Sequence, residues 1–405
     1  MAKKVIWFIN QYAGSKHHGM NFRGYYLGLS LIEKGHEVYV FGASFTHLLV
    51  KPPKTTGIFT HEKVDGINYI WVKVPRYGSS TGAMRALSLL IFLFRLSFFK
   101  TDSISKPDAI IVSSPAPTPT ILGYLWAKKY GAKFFFEIRD LWALTMKNVG
   151  KFSSINPYVL LMELSEWIGF AKTDKVVSLL PEAWKYTTKR GMKLENFVYI
   201  PNGVFLPNSN GKSQTHLDES ISSKIPSNKF IVGYAGTVGF SNNLDLFIEA
   251  AELLKENANV HFVLVGRGME LENLQKKAEN LPNVTFLGHQ PSNTIPSILK
   301  KFDVCYIGLK KEKLYKYGVS PNKLFEYLLA SKPIICAIDS SNRIVEEANA
   351  GFVIEPNNAT EIANAILKIF NMTEDERKTL GENGRKYVLE KHTYEKITEK
   401  YLEII

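Results

Sequence analysis

Cysteine is nearly missing from this chain of 405 residues, with only Cys305 and Cys336 present. Both lie inside apolar runs, so a disulfide framework is excluded and a reducing compartment is expected. Long hydrophobic runs are missing too. The uncharged stretch 86–94, bracketed by Arg85 and Arg95, is far shorter than the ~20 apolar residues that a membrane-crossing helix needs. Residues 5–9 are likewise too short for the apolar core of a signal peptide, and they run straight into Asn10 and Gln11. Neither half carries the six-residue glycine fingerprint of dinucleotide-binding folds, which disfavours a nicotinamide-dependent dehydrogenase. Metal-ligand spacing is absent as well: His17 and His18 are adjacent, and no cysteine or acidic partner clusters with them in sequence, so no metal is expected.

What is present reads as globular. Hydrophobic residues make up 45% and charged residues 22%, a balance that excludes disorder, collagen and coiled coils. The length exceeds one ordinary domain of ~100 to 200 residues, so two are expected. The formal net charge of +12 is unevenly placed. Residues 1–203 hold 26 Lys and Arg against 13 Asp and Glu, a net of +13, whereas residues 204–405 hold 24 against 25, a net of −1. An excess confined to the first half suits a polyanion, either nucleic acid or an anionic membrane surface; the plainer alternative is a basic surface kept for solubility.

Two series of alternating strands and helices follow one another. Strand-like runs at 5–10, 37–42, 109–113, 133–138, 175–178 and 197–200 alternate with helical patterns at 25–33, 120–130 and 158–171, the pattern of a parallel sheet with crossover helices. The polar stretch 208–228 reads as a linker. The cadence restarts with strands at 230–235, 261–265, 284–287, 304–309 and 333–337, and ends in helical stretches at 360–371, 374–391 and 393–405. Open parallel sheets bind ligands beyond the carboxyl ends of their strands. That directs attention to Gly236-Thr237-Val238-Gly239 and Gly266-Arg267-Gly268, where backbone amides and one cation could meet a phosphate. In the run 320–326, Lys323 and Glu326 share a helix face one turn apart, a cation for phosphate beside a carboxylate for hydroxyl groups. Alone, each glycine loop could be a tight turn and the Lys–Glu pair a surface ion pair.

Several motifs together make the sequence resemble the retaining glycosyltransferases of family 4. They are Arg23 with residues 33–38, Arg139-Asp140-Leu141-Trp142, Ile200-Pro201-Asn202-Gly203-Val204, Gly266-x-Gly268, residues 283–288, and 320–326 followed by Lys332-Pro333-Ile334. The run 18–24 and the Ser-Pro-Asn-Lys form of the later motif are similar to the branch that adds N-acetylfucosamine-type sugars in O-antigen or capsule assembly. The resemblance implies an α/β protein of GT-B fold, with two doubly wound Rossmann-like domains facing across a cleft. Residues 1–203 would bind the acceptor, residues 204–387 the donor, and a final helix at about 388–405 would pack back on the first domain.

It further implies a nucleoside diphosphate sugar, a UDP-N-acetyl sugar, as co-substrate, with no metal or other cofactor. Glu326 would take the ribose hydroxyls, Gly288, His289 and Gln290 would line the base, and Gly236, Thr237, Arg267 and Lys323 would meet the pyrophosphate. Gly266, Gly19, Asn21, Ser320, Pro321, Asn322 and Leu324 complete the donor set. Asp140 would position or assist the acceptor, with Lys323 and Glu326 as the other residues of the catalytic set; a capping carboxylate is the plainer role for Asp140. The acceptor would be a polyprenyl-diphosphate-linked glycan, the location the cytoplasmic face of the cell membrane with peripheral attachment, and nucleic acid no partner.

The sequence departs from the family pattern. Gly318 stands where the first of the two family glutamates is expected, leaving Ser320, Asn322 or backbone amides to replace it. Residues 237–246 lack the usual Arg and Lys. Glu137 and Asp140 are the ionisable candidates where relatives carry a histidine. A catalytically degenerate scaffold and a sugar-nucleotide epimerase are therefore the competing functions. Residues 83–100 form the other unusual feature: helical spacing places Arg85, Ser88 and Arg95 on one side and leucines and phenylalanines on the other, as in a helix lying in a membrane interface, or else a core helix under the first sheet.

Overall fold

The structure, a computed structural model, describes residues 2–19, 22–78, 82–148, 150, 152–206 and 217–405. It divides into two compact units, Met1–Pro201 together with Tyr394–Ile405, and Asn202–Thr393.

Among the described residues, eight strands make the sheet of the first unit: β1 (Val5–Ile9), β2 (Glu37–Ala43), β3 (Phe59–Val64), β4 (Ile67–Val72), β5 (Ala109–Ser113), β6 (Lys133–Ile138), β7 (Lys175–Ser178) and β8 (Phe197–Tyr199). Their order is β3-β4-β2-β1-β5-β6-β7-β8, parallel throughout except for the antiparallel pair β3 and β4. Continuous apolar runs such as Val5–Ile9 suit strands covered on both faces. The hairpin of β3 and β4 turns at Asp65 and Gly66, both at positive φ (48° and 89°), the backbone that a two-residue turn requires.

The second unit has β9 (Phe230–Ala235), β10 (Val260–Val265), β11 (Val284–Gly288), β12 (Val304–Gly308), β13 (Ile334–Ala337) and β14 (Gly351–Val353). They are ordered β11-β10-β9-β12-β13-β14, the doubly wound arrangement whose direction reverses between β9 and β12. Alternate residues feed two separate cores. Phe262 and Leu264 point into the layer that holds Phe247 and Tyr306, while Val263 and Val265 point into the layer that holds Phe325 and Leu328. Residues 208–228 are not wholly a linker: Leu217, Ile221 and Ile225 pack on the second layer, because their apolar side chains have a core within reach.

The helix Glu374–Lys391 starts with a capping box between Thr373 and Glu376 and packs on the helix Asn322–Leu329. At the end of the second unit, the Val204 amide donates to the His392 carbonyl at 2.8 Å. The last helix, Tyr394–Ile404, belongs to the first unit, where Tyr394 meets Tyr26 at a ring separation of 5.1 Å.

The helix Ala83–Leu96 corrects the sequence reading of its polar side. Ser88 is fully buried beside Leu89, Phe92 and Leu96. Arg85 donates to the Tyr12 hydroxyl at 2.9 Å and lies over the Trp142 ring, and Arg95 donates to the Lys73 carbonyl. These polar groups turn toward the protein because long guanidinium side chains reach acceptors there. The opposite side, with Met84, Leu87, Leu90 and Phe94, is exposed, and Phe98 just beyond the helix extends it. No helix among the described residues is long and apolar enough to cross a membrane.

Candidate active site

Of the residues assigned to the donor, Gly236, Gly266 and Gly288 lie at the carboxyl ends of β9, β10 and β11. Gly236 follows β9, and its amide donates to the Val265 carbonyl at 2.9 Å; the Gly266 amide in turn donates to Gly288 at 2.8 Å. Three successive strand ends are thereby stitched together. The approach is too close for side chains: a Cβ on Gly266, whose φ is +148°, would lie 1.8 Å from the Gly236 oxygen.

Lys323 reaches this turn from the first residues of the helix Asn322–Leu329. Its Nζ donates to the Tyr234 hydroxyl at 2.5 Å and to Asn242 Oδ1 at 2.8 Å. The Tyr234 hydroxyl donates onward to the Thr237 carbonyl at 2.6 Å. The ammonium also covers the Tyr234 ring at 4.4 Å, and a Cβ on Gly236 would come within 2.9 Å of it. Burial pushes its pKa down to about 7, only partly opposed by Glu326. Lys323 and Glu326 form no ion pair; the lysine is committed to a tyrosine and an asparagine that the sequence reading did not single out. Glu326 presents solvent-accessible surface although protein surrounds it closely. That desolvation raises its carboxyl, and the Lys323 charge works against the rise.

The approach to this helix is clamped from two sides. Asn202 donates its backbone amide to Ser320 Oγ at 2.9 Å and its side-chain amide to the Ser320 carbonyl at 2.7 Å. Asn342 binds both the amide and the carbonyl of Val319, at 2.9 and 2.7 Å. Ser320 is thus a structural anchor. Pro321 sits at the N-cap position in an extended conformation (ψ 126°), Asn322 is exposed, and Leu324 turns into the core. Gly318 has φ +107°, a conformation that disfavours the family's glutamate as well as lacking its carboxylate. Arg267 and His289 are exposed, and Gln290 bonds back to the Leu287 carbonyl at 2.8 Å.

In the first unit, Asp140 follows β6. Ser114 Oγ on the neighbouring strand end donates to its carbonyl at 3.2 Å and accepts the Arg139 amide at 2.9 Å. The Asp140 side chain retains solvent access and takes no hydrogen bond among the described residues. Desolvation raises its carboxyl to about 6, against the lowering effect of Arg139. It is not a helix cap. The helix Trp142–Asn148 is capped instead by Glu166, whose Oε1 accepts the Ala143 amide at 3.0 Å.

Glu137 is no candidate for chemistry. It is buried, pairs with Arg23 Nε at 2.8 Å, and accepts from Ser113 and from Tyr401 of the last helix. Arg23 also grips the carbonyls of Pro201 and Ile200 at 2.8 and 3.0 Å. Gly19 lies in a turn with φ +114°, bridged to Ser15 and Leu49. Asn21 lies outside the described residues.

Known proteins share parts of this sequence and its fold. Residues 217–387 match the family described as "Glycosyl transferases group 1". The chain is a glycosyltransferase. It is 25% identical over 313 residues to the Escherichia coli K12 protein WcaI, assigned to colanic acid biosynthesis as a glycosyl transferase; the match covers 74% of each chain. It is 23% identical to the capsular polysaccharide biosynthesis glycosyltransferase CapM of Staphylococcus aureus, over 74% of this chain and 73% of CapM. The crystal structure of Anabaena HepE in complex with UDP superimposes with a TM-score of 0.66 over 99% of this glycosyltransferase and 98% of HepE, at 14% identity. That likeness shows the fold, GT-B with two Rossmann-like domains.

Proposed function

We propose that the protein transfers an N-acetyl sugar from its UDP conjugate, with retention of configuration, to a polyprenyl-diphosphate-linked glycan in surface polysaccharide assembly. The observation that carries this reading is the Lys323 ammonium held on the Gly236 turn by Tyr234 and Asn242. A cation and glycine amides at the end of a central strand suit a pyrophosphate, and Glu326 one turn further on suits the ribose hydroxyls.

In the reaction, the bond from the anomeric carbon to the pyrophosphate oxygen breaks as an acceptor hydroxyl oxygen attacks the same face of the sugar. The departing phosphate takes the hydroxyl proton. Lys323 and the strand-end amides stabilise the charge that grows on the leaving diphosphate, a task that side-chain cations perform without a metal. Asp140 orients the acceptor hydroxyl. The relatives named for colanic acid and capsule, and the neighbour solved with UDP, support this substrate class. The exposed ridge of Met84, Leu87, Leu90 and Phe94 and the basic first half support peripheral attachment at the inner membrane face.

A thermal-shift panel of nucleotide sugars tests the donor, since a ligand stabilises the state it binds. One UDP-N-acetyl sugar should raise the melting temperature above all others and yield an α- or β-linked product matching its own anomeric configuration. Inversion of configuration, or epimerisation without acceptor, would overturn the reading.

A further inference from the structure

The first unit contains a cavity of about 380 Å³ that includes none of the donor-site residues. Its volume falls in the range of small-molecule sites, roughly 300 to 1,000 Å³. It lies between the edge strand β3 and the segment 51–54. That segment is tied down where the amides of Val50 and Lys51 both donate to the His18 carbonyl, at 2.8 and 3.0 Å.

One wall is a fixed carboxylate. Glu62 Oε2 accepts from Trp71 Nε1 at 2.6 Å and from His18 Nε2 at 3.2 Å. The His18 tautomer follows from its other neighbour. Ser15 Oγ already accepts the backbone amides of His17 and His18, so its proton is free to donate to His18 Nδ1, 2.7 Å away. Nε2 therefore carries the hydrogen that points at Glu62. Burial keeps His18 in this neutral form, lowering its pKa against the Glu62 charge. Both donors use Oε2, which leaves Oε1 unoccupied among the described residues.

The other walls are cationic and apolar. Lys51 and Lys54 line the cavity, and neither has a carboxylate partner among the described residues. Pro52 and Pro53 supply flat apolar surface between them. An immobilised acceptor oxygen, two unpaired ammonium groups and an apolar floor match a sugar ring that carries an acidic substituent.

We propose that this cavity is an acceptor subsite for an anionic sugar residue, whose hydroxyl groups donate to Glu62 and whose carboxylate or phosphate lies between Lys51 and Lys54. The assignment rests on the reading of the protein as a transferase with a glycan acceptor. It adds that the acceptor glycan bears an acidic unit.

Titration of the full chain with D-glucuronate, glucose 1-phosphate and D-glucose, read from the NMR signals of His17, His18 and His61, tests it. An acidic sugar should shift these signals saturably and bind about tenfold tighter than glucose, the size of one charge-assisted contact. Preference for glucuronate identifies a carboxylate, and preference for glucose 1-phosphate a phosphate. A Lys51→Glu, Lys54→Glu double variant should lose that preference, and Glu62→Gln should weaken all three sugars, with UDP affinity unchanged in both. Equal binding of glucose and the acidic sugars, or no shift at these histidines while UDP still binds, overturns the subsite and leaves the transferase reading intact. Failure of UDP to bind the native protein overturns the transferase reading instead.

Discussion

Lys323 Nζ stands 2.5 Å from the Tyr234 hydroxyl and 4.4 Å from the centre of the same ring. A single tyrosine thus supplies both a lone pair and a π face to one ammonium group. Neither is a full negative charge, so the lysine stays easy to deprotonate until an anion arrives.

This arrangement sets a pH dependence. In the free protein Lys323 loses its proton near pH 7; a bound pyrophosphate favours the cation and raises that value. Binding of a nucleotide sugar should therefore take up a proton above about pH 7, and affinity should fall as the pH rises further. The Lys323→Met variant should bind more weakly at pH 7 and lose the proton uptake, measured by calorimetry in buffers of different ionisation heat. Without ligand, the unfolded chain holds this proton between about pH 7 and 10.5 while the folded chain does not. Lysine 323 therefore costs stability below that window, and the cost is lifted as the pH rises through it.

On the proposed function Asp140 must be ionised to orient a hydroxyl, so kcat/KM should fall below about pH 6. The Asp140→Asn variant is expected to lose about 100-fold in kcat, the scale of a misplaced reacting group, together with that acidic limb. A variant with native activity would remove Asp140 from the reaction.

Glu166 gives a separate test of stability. It is buried, its Oε2 has no partner among the described residues, and desolvation raises its carboxyl from 4.5 to about 7. The unfolded chain releases this proton first, so stability is lost as the pH climbs from about 4.5 through 7. Glu166→Gln keeps an oxygen for the Ala143 amide and removes the buried charge. Urea unfolding should show it more stable by about 2 to 3 kcal/mol at pH 8, with little difference at pH 4.5.

The exposed apolar ridge predicts salt-sensitive flotation with anionic liposomes and weaker flotation with neutral ones. A Leu90→Glu, Phe94→Glu double variant should lose flotation and keep its melting temperature, because both positions face solvent. Equal flotation of native and variant protein would sink the membrane assignment.

Strands buried on both faces were legible from apolar runs alone: 109–113, 133–138, 175–178 and 230–235 match β5, β6, β7 and β9. The β3–β4 hairpin was missed, although Asp65-Gly66 between two β-rich runs is a recognisable turn signal. Part of the site was legible as well. Gly236 and Gly266 could be picked out as candidates because strand ends bind ligands whatever their partners, and Lys323 because it lies in the first turn of a helix. Tyr234 and Asn342 could not, since each becomes part of the site only through a contact across more than twenty positions of sequence. The same limit applies to the helix Ala83–Leu96. Helical spacing sorts its side chains into two sides, but only tertiary packing shows that the side with Ser88 is the buried one.

The pairing of Val204 with His392 has a genetic consequence. The second unit leaves and rejoins the first at adjacent points, so in sequence it is an insertion carried inside one loop of its host. Two cuts, near residues 201 and 393, separate the two units, and on the proposed function they separate donor chemistry from acceptor chemistry. Recombination at that seam could exchange one nucleotide-sugar specificity for another while the first unit, with its Arg23–Glu137–Tyr401 anchor closed by its own C-terminal helix, stays whole.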